Sequence, residues 1–155
     1  MKLDFAILAD AVSLAGEKLY IHGAPLKRLD VPQLPWAVPL GIGLSFTGSL
    51  EEAGNVHELG FRLVGPAEDA HVTTSPPIPL HLPERVRLPS DYERINVLAA
   101  IQLGVIGFSF EGWHIVELTL DSEPLASLEF RVTQQPELRE RMTYTEATGP
   151  DAGES

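Results

Sequence analysis

The chain has 155 residues, a length typical of one domain built around a single hydrophobic core. Its 22 acidic and 11 basic residues give a net charge of -11, which disfavours binding to nucleic-acid phosphates. It has no cysteine, which excludes disulfides and thiol catalysis and fits a reducing cytoplasm, and no apolar run reaches the roughly 20 residues needed to cross a bilayer.

The N-terminal segment predicts a β-hairpin rather than a secretory leader. Asp4 and Asp10 interrupt the apolar stretch that a leader requires. Residues 2–9 alternate with the period of two that is typical of a strand, and residues 18–23 alternate again after a glycine turn. We therefore expect these two segments to pair, and we expect the protein to be cytoplasmic.

Several later segments predict further strands. Large apolar residues alternate with smaller or polar ones in residues 38–46, 59–63 and 95–103. The strongest signal lies in residues 112–132, where two amphipathic segments flank turn residues and predict a hairpin with one buried face. Because such a hairpin needs a second sheet to cover it, the sequence predicts an all-β fold. The expected architecture is an antiparallel two-sheet β-sandwich, Ig-like or jelly-roll-like, with about seven or eight strands.

Two segments depart from this alternation. Residues 73–89 carry five prolines, which confine the segment to a sheet edge or a surface loop. The segment is either a rigid crossover between sheets or a docking segment of the polyproline type. Pro136 ends the last strand, so we assign residues 1–135 to the sandwich domain and residues 136–155 to a C-terminal tail that is flexible or forms a short helix.

Two further positions carry structural expectations. Gly41 and Gly43 lie inside a strand pattern, and their missing side chains predict that another segment approaches that face closely. His114 stands between Trp113 and Ile115, where a lone histidine among apolar neighbours is more often packed and hydrogen-bonded than catalytic.

The sequence offers no constellation for catalysis, cofactor binding or metal binding. The five histidines include no pair at the close spacing of zinc ligands, and no nucleophile elbow, phosphate loop or dinucleotide fingerprint is present. The best polar grouping is Asp4, Asp10 and His22, which the first hairpin would bring together, although solvated strand charges explain it equally well. We therefore expect no cofactor, no metal and no enzymatic activity.

Three apolar residues fall in the strand phase that should face solvent. Leu98, Trp113 and Ile115 alternate with expected core residues, so the sequence predicts an exposed apolar patch. A two-fold dimer would bury this patch on both subunits. Alternatively, the tail or the proline-rich segment covers it within one chain.

Three segments carry a resemblance to a known family: FAILADAV from Phe5, GEKLYIHGA from Gly16 and IQLGVIGFSFEGWHIVELTLDSEPLASLEFRV from Ile101. They resemble small uncharacterised bacterial proteins, most of them actinobacterial, known only as a domain of unknown function. Members show a FAILAD first strand and a GKLxIxG second strand, into which this chain inserts Glu17. The resemblance implies a β-sandwich and a cytoplasmic bacterial protein, and it transfers no activity, cofactor or site residue.

Three classes of function fit the sequence. We favour a non-enzymatic cytoplasmic interaction module that binds a protein partner or itself. The alternative is a β-sandwich that binds a small molecule or a carbohydrate, with Trp36 and Trp113 as stacking platforms. The third class is an enzyme assembled from dispersed residues, which would require a pocket with perturbed titrating groups.

Overall fold

The computed structural model describes residues 1–67 and 73–139. These residues are mostly β, with eleven strands and two three-residue 3-10 turns, Leu50–Glu52 and Arg85–Arg87. The strands outnumber the predicted seven or eight because several of them are very short. Their bounds are β1 (Lys2–Ala9), β2 (Ala11–Ala15), β3 (Lys18–His22), β4 (Arg28–Val31), β5 (Trp36–Ser49), β6 (Val56–Val64), β7 (Thr73–Thr74), β8 (Ile78–His81), β9 (Arg94–Phe108), β10 (Gly112–Leu120) and β11 (Glu123–Gln134).

The described strands form three sheets rather than two. One sheet has the order β1-β5-β9, and a six-stranded sheet has the order β4-β11-β10-β6, with β7 and β8 both paired to β6. The third sheet is the hairpin of β2 and β3. The all-β prediction is thus confirmed. The expectation of purely antiparallel pairing is wrong at one edge, where β4 runs parallel to β11.

The first predicted hairpin does not form. β1 pairs with β5, whereas β3 pairs with β2 across a turn at Gly16, whose φ is +61°. β1 also carries a bulge between Leu3 and Phe5, so the simple alternation of this segment breaks at Asp4. Leu3 therefore packs against the core, while Phe5 lies opposite Ser45 and is partly exposed.

The main hydrophobic core is shared by the three-stranded and six-stranded sheets. This core is built from the apolar residues of the predicted strand segments, which are 38–46, 59–63, 95–103 and the hairpin of 112–132. Within it, Phe130 is completely buried. Leu120 and Leu128 pack partly buried against this core. Its largest fully buried side chains are Phe46, Phe108, Phe130, Leu40, Ile42, Leu44, Leu59, Ile95 and Leu118.

The β2–β3 hairpin packs on the other face of the three-stranded sheet, and we call this second contact the hairpin layer. Val12 of the hairpin is buried there, outside the main core. A Cβ on Gly41 would lie 2.6 Å from Val12 Cγ2, and one on Gly43 would lie 2.9 Å from Ile21 Cδ1. The predicted close approach at the two glycines is therefore confirmed, because the hairpin fills the space that their side chains would take.

The proline-rich segment lies at a sheet edge, as its prolines predict. Its strands β7 and β8 each pair with β6, and a 3-10 turn follows them. Residues 137–139, which follow β11, are helical. The rest of the predicted C-terminal tail, residues 140–155, lies outside the described residues. No helix within the described ranges is long and apolar enough to cross a membrane.

Candidate functional site

The three residues of the predicted apolar patch do not come together. Leu98 lies on β9 of the three-stranded sheet, whereas Trp113 and Ile115 lie on β10 of the six-stranded sheet. Each alternates with buried residues of the shared core, so each points away from it. Alternation identified the outward phase correctly, but it carried no information about which sheet each strand would join.

Trp113 and Ile115 occupy a mixed surface rather than an apolar one. Trp113 is 57% exposed and lies opposite Arg131. Ile115 is half-buried between Glu129 and Val64 on the two neighbouring strands. The apolar part of this face is therefore narrow and bordered by charged residues.

The predicted polar grouping is also separated. The Asp10 amide donates to the His22 carbonyl at 3.1 Å, so these two residues are neighbours. Asp4 lies about 20 Å from Asp10 along extended chain. Its Oδ2 accepts hydrogen bonds from Thr47 Oγ1 at 2.9 Å and Ser45 Oγ at 3.3 Å. Within the described residues, no group of three histidines or carboxylates could hold a metal ion.

Leu98 instead forms part of the floor of a cleft of about 540 Å³ beside the hairpin layer. The hairpin tip forms one wall, the segment before β9 forms the other, and Asn96 and Leu98 of β9 lie between them. A second, shallow and open hollow adjoins it and shares Tyr92 and Asn96. We call the two together the outer groove. They are lined by Leu14, Gly16, Glu17, Pro83, Arg87, Leu88, Pro89, Asp91, Tyr92, Glu93, Arg94, Asn96 and Leu98.

Successive tight turns build the second wall of the groove. The Arg87 amide donates to the Glu84 carbonyl at 2.9 Å, and the Tyr92 amide donates to the Pro89 carbonyl at 3.1 Å. Pro83 restricts the backbone at the start of this wall, and Pro89 restricts it at the start of the second turn. The segment therefore holds a compact shape without strand pairing, and its side chains remain available at the surface.

The walls of the outer groove combine exposed apolar groups with an excess of negative charge. Leu14 on the hairpin is 47% exposed, and Tyr92 on the other wall is 48% exposed. Arg87 is paired with Glu84 at 3.7 Å, both side chains being well exposed. Glu17, Asp91 and Glu93 have no ion-pair partner among the described residues, and Arg94 is the lining cation left to balance them.

A histidine–carboxylate pair lies elsewhere, at the turn between β10 and β11. His57 Nδ1 lies 2.7 Å from Asp121 Oδ2, and Asp121 Oδ1 accepts the Glu58 amide at 2.8 Å. The hydrogen bond from His57, followed by that from Glu58, lowers the pKa of Asp121. The pair fastens this turn to β6, and sequence reasoning missed it because 64 positions separate the two residues.

His114 is a packed core residue, as predicted. It is 4% exposed, its Nδ1 donates to the Gly112 carbonyl at 3.1 Å, and its ring stacks on Phe130 with centroids 5.5 Å apart. Burial lowers the pKa of His114, so the imidazole is neutral near pH 7. A cavity of about 20 Å³ beside it has room for one water molecule and little else.

Comparisons with known proteins give weak structural likenesses and one family. Over 84% of this chain and 30% of the other, the fold is similar to the Pseudomonas fluorescens alkylpurine DNA glycosylase AlkC bound to DNA containing an abasic site analogue, at 14% identity and a TM-score of 0.40. Over 69% of this chain and 15% of the other, it is similar to a Listeria innocua β-glucosidase in complex with glucose, at 10% identity and a TM-score of 0.41.

The chain thus spans less than a third of either protein, and likenesses this weak carry no functional inference. Comparison with curated proteins found no match. The family model covers residues 4–133, which is most of the chain and includes every described strand except the first two residues of β1 and the last residue of β11. The chain therefore belongs to the family of unknown function DUF6941.

Proposed function

We propose that the protein is a non-enzymatic cytoplasmic interaction module that binds a protein partner through the outer groove. The observation that carries this proposal is the pair of half-exposed apolar side chains, Leu14 and Tyr92, on facing walls of a cleft of about 540 Å³. Apolar groups arranged around a concave surface are a common feature of partner sites. We also propose that the two larger sheets form a β-sandwich, with the hairpin layer on the outer face of the three-stranded sheet.

The chemistry of the groove favours binding over catalysis. A nucleophile and its base must lie within hydrogen-bond reach of each other. Among the described groove residues, the side-chain pairings are the surface contact of Arg87 with Glu84 and the hydrogen bond that Thr47 Oγ1 donates to Asn96 Oδ1 at 3.5 Å, and neither pairs a nucleophile with a base. The two histidines with distinctive surroundings, His57 and His114, lie outside the groove and have packing or turn-fastening contacts.

Panning a random-peptide display library against the purified protein tests this proposal. We expect enriched peptides that bind the parent and Tyr20→Ala but lose binding to Tyr92→Ala. Tyr20 is a matched control because it is 44% exposed, close to the 48% of Tyr92, and lies on the far face of the hairpin. Failure to enrich any peptide, or equal binding by all three proteins, would contradict the proposal.

A small-molecule site is the second candidate, because a cleft of about 540 Å³ lies within the size range of ligand pockets. The hypothesis that the protein binds a carbohydrate uses Trp36 and Trp113 as stacking platforms for the sugar. Neither residue lines the outer groove. Trp36 packs against the main core, and Trp113 lies on the outer face of the other sheet. Ligand-detected NMR with a panel of monosaccharides tests this hypothesis, and saturation transfer that Tyr92→Ala abolishes would favour it.

A further inference from the structure

We infer that the outer groove takes an extended, basic segment of a partner protein, in which lysine or arginine residues alternate with apolar ones. This inference rests on the proposed function and names the chemistry of its partner. Charge, shape and the character of the groove walls support it separately.

The charge of the groove selects a cationic ligand. Glu17 stands on the hairpin wall, and Asp91 and Glu93 stand in the adjoining hollow, all three without an ion-pair partner in the described chain. Arg94 offsets one of them, while Arg87 is already paired with Glu84. The surrounding molecule carries a net charge of -11, so its long-range field also attracts a basic partner and repels a second copy of this chain.

The shape of the groove suits an extended chain. The cleft of about 540 Å³ continues at Tyr92 and Asn96 into the shallow, open hollow, which makes the site longer than one compact pocket. The outward residues of its floor, Asn96 and Leu98, are two positions apart on one strand. Side chains on one face of an extended peptide repeat at the same interval, about 6.6 Å, so alternate residues of the ligand can follow the floor.

The walls provide contacts for both halves of the alternating pattern. Leu14, Leu88 and Leu98 offer apolar surface to the aliphatic residues of the ligand. Tyr92 lies where the hollows meet, and an aromatic ring at that place attracts an ammonium or guanidinium group. The long stems of lysine and arginine can cover apolar surface while their charged ends reach the carboxylates.

Fluorescence anisotropy with a labelled synthetic peptide of alternating lysine and leucine tests the inference. We expect binding to the full-length parent, weakened by added salt because the carboxylates are exposed. The combined variant Glu17→Gln, Asp91→Asn, Glu93→Gln should bind about tenfold more weakly, as expected for the loss of three exposed ion pairs. A peptide alternating glutamate and leucine should not bind.

The matched control removes the same number of charges away from the groove. Glu51, Glu123 and Glu137 are exposed and have no ion-pair partner among the described residues, so their joint replacement by glutamine keeps the net charge equal to that of the groove variant. Binding within about twofold of the parent is expected for this control. Equal losses in both triple variants would show attraction to net charge alone and would overturn the inference.

Two further outcomes separate this inference from the proposed function. If the peptides enriched by panning depend on Tyr92 but lack basic residues, the groove is a partner site and the inference about charge is wrong. If spermidine, a small organic polycation, competes with the peptide at equal molar concentration, the groove is a small-cation site and the extended-segment inference is wrong. Failure of all peptides to bind contradicts both.

Discussion

The three-stranded sheet is packed on both faces, and the two packings differ in kind. On the face toward the six-stranded sheet, large side chains such as Phe46 and Phe130 fill the space and are fully buried. On the opposite face, Gly41 and Gly43 have no side chain, and Val12 and Ile21 of the hairpin occupy the vacant positions. The same strand, β5, supplies both arrangements through its two alternating phases.

This difference determines which substitutions each layer tolerates. The main core is filled by side chains from both sheets, so removing atoms from it leaves a cavity. The hairpin layer depends on the absence of atoms at two positions of β5, so adding atoms there pushes the hairpin away. The main core should therefore be sensitive to truncation, and the hairpin layer to enlargement.

The largest effect is expected from Phe130→Ala in the main core. Truncating a fully buried phenylalanine costs about 3 to 5 kcal/mol, a large part of the stability of a small domain. Chemical denaturation monitored by circular dichroism measures the loss. Phe110→Ala is the matched control, because Phe110 is 43% exposed and its truncation should cost less than about 0.5 kcal/mol. Equal midpoints for Phe130→Ala and the parent would show that this assignment of the core is wrong.

Gly41→Ala should produce a smaller loss that is concentrated in the hairpin layer. Its new Cβ would lie 2.6 Å from Val12 Cγ2, and overpacking of this kind costs about 1 to 3 kcal/mol. Hydrogen exchange should show faster exchange in β2 and β3 than in β10 and β11.

Gly107→Ala tests whether this loss comes from steric contact. Gly107 lies on β9 of the same sheet, and a Cβ there meets nothing within 4 Å. We expect this control to retain the exchange pattern of the parent. Unchanged exchange of the hairpin in Gly41→Ala would contradict the close contact.

A pH-dependent effect is expected from the buried imidazole of the main core. Burial lowers the folded-state pKa of His114 below its ordinary 6.5, so the unfolded chain binds a proton that the folded chain does not. The stability that depends on neutral His114 is full above about pH 6.5 and falls as the pH decreases toward the folded-state pKa. Urea unfolding at about pH 7.5 and about pH 5 should show a smaller difference in His114→Phe than in the parent. Equal differences in the two proteins would contradict this role of burial.

The smallest effect on stability is expected from a substitution of Trp113 on the outer face of the six-stranded sheet. No described segment covers this face at Trp113. Since Trp113 is 57% exposed and borders charged residues, Trp113→Glu should change the free energy of unfolding by less than about 0.5 kcal/mol. Sedimentation velocity of the parent and of this variant tests the homodimer hypothesis. A parent dimer that Trp113→Glu dissociates would show that this narrow face is an interface. A monomer in both cases would show that it is not.

The sequence by itself determined the parts of the fold that depend on neighbouring residues. Residues 112–132 form the predicted hairpin, because alternation and turn residues are both local properties. Its turn consists of two residues, Asp121 and Ser122, at φ of +52° and +70° between paired Leu120 and Glu123. The close approach of another segment to the glycines of β5 was also predictable, because a glycine has no side chain to fill the space. The packing of His114 was predictable from its apolar sequence neighbours.

The tertiary structure alone decided which strands became partners and which residues met. Two strands with the same alternation can pair with each other or with distant strands, so β1 joined β5 and left β3 to β2. For the same reason, Leu98 was separated from Trp113 and placed in the outer groove, whose walls come from segments about 70 positions apart. Alternation in the sequence indicates the face of a strand on which a side chain lies. A site depends on which faces come into contact, and the packing of distant segments determines those contacts.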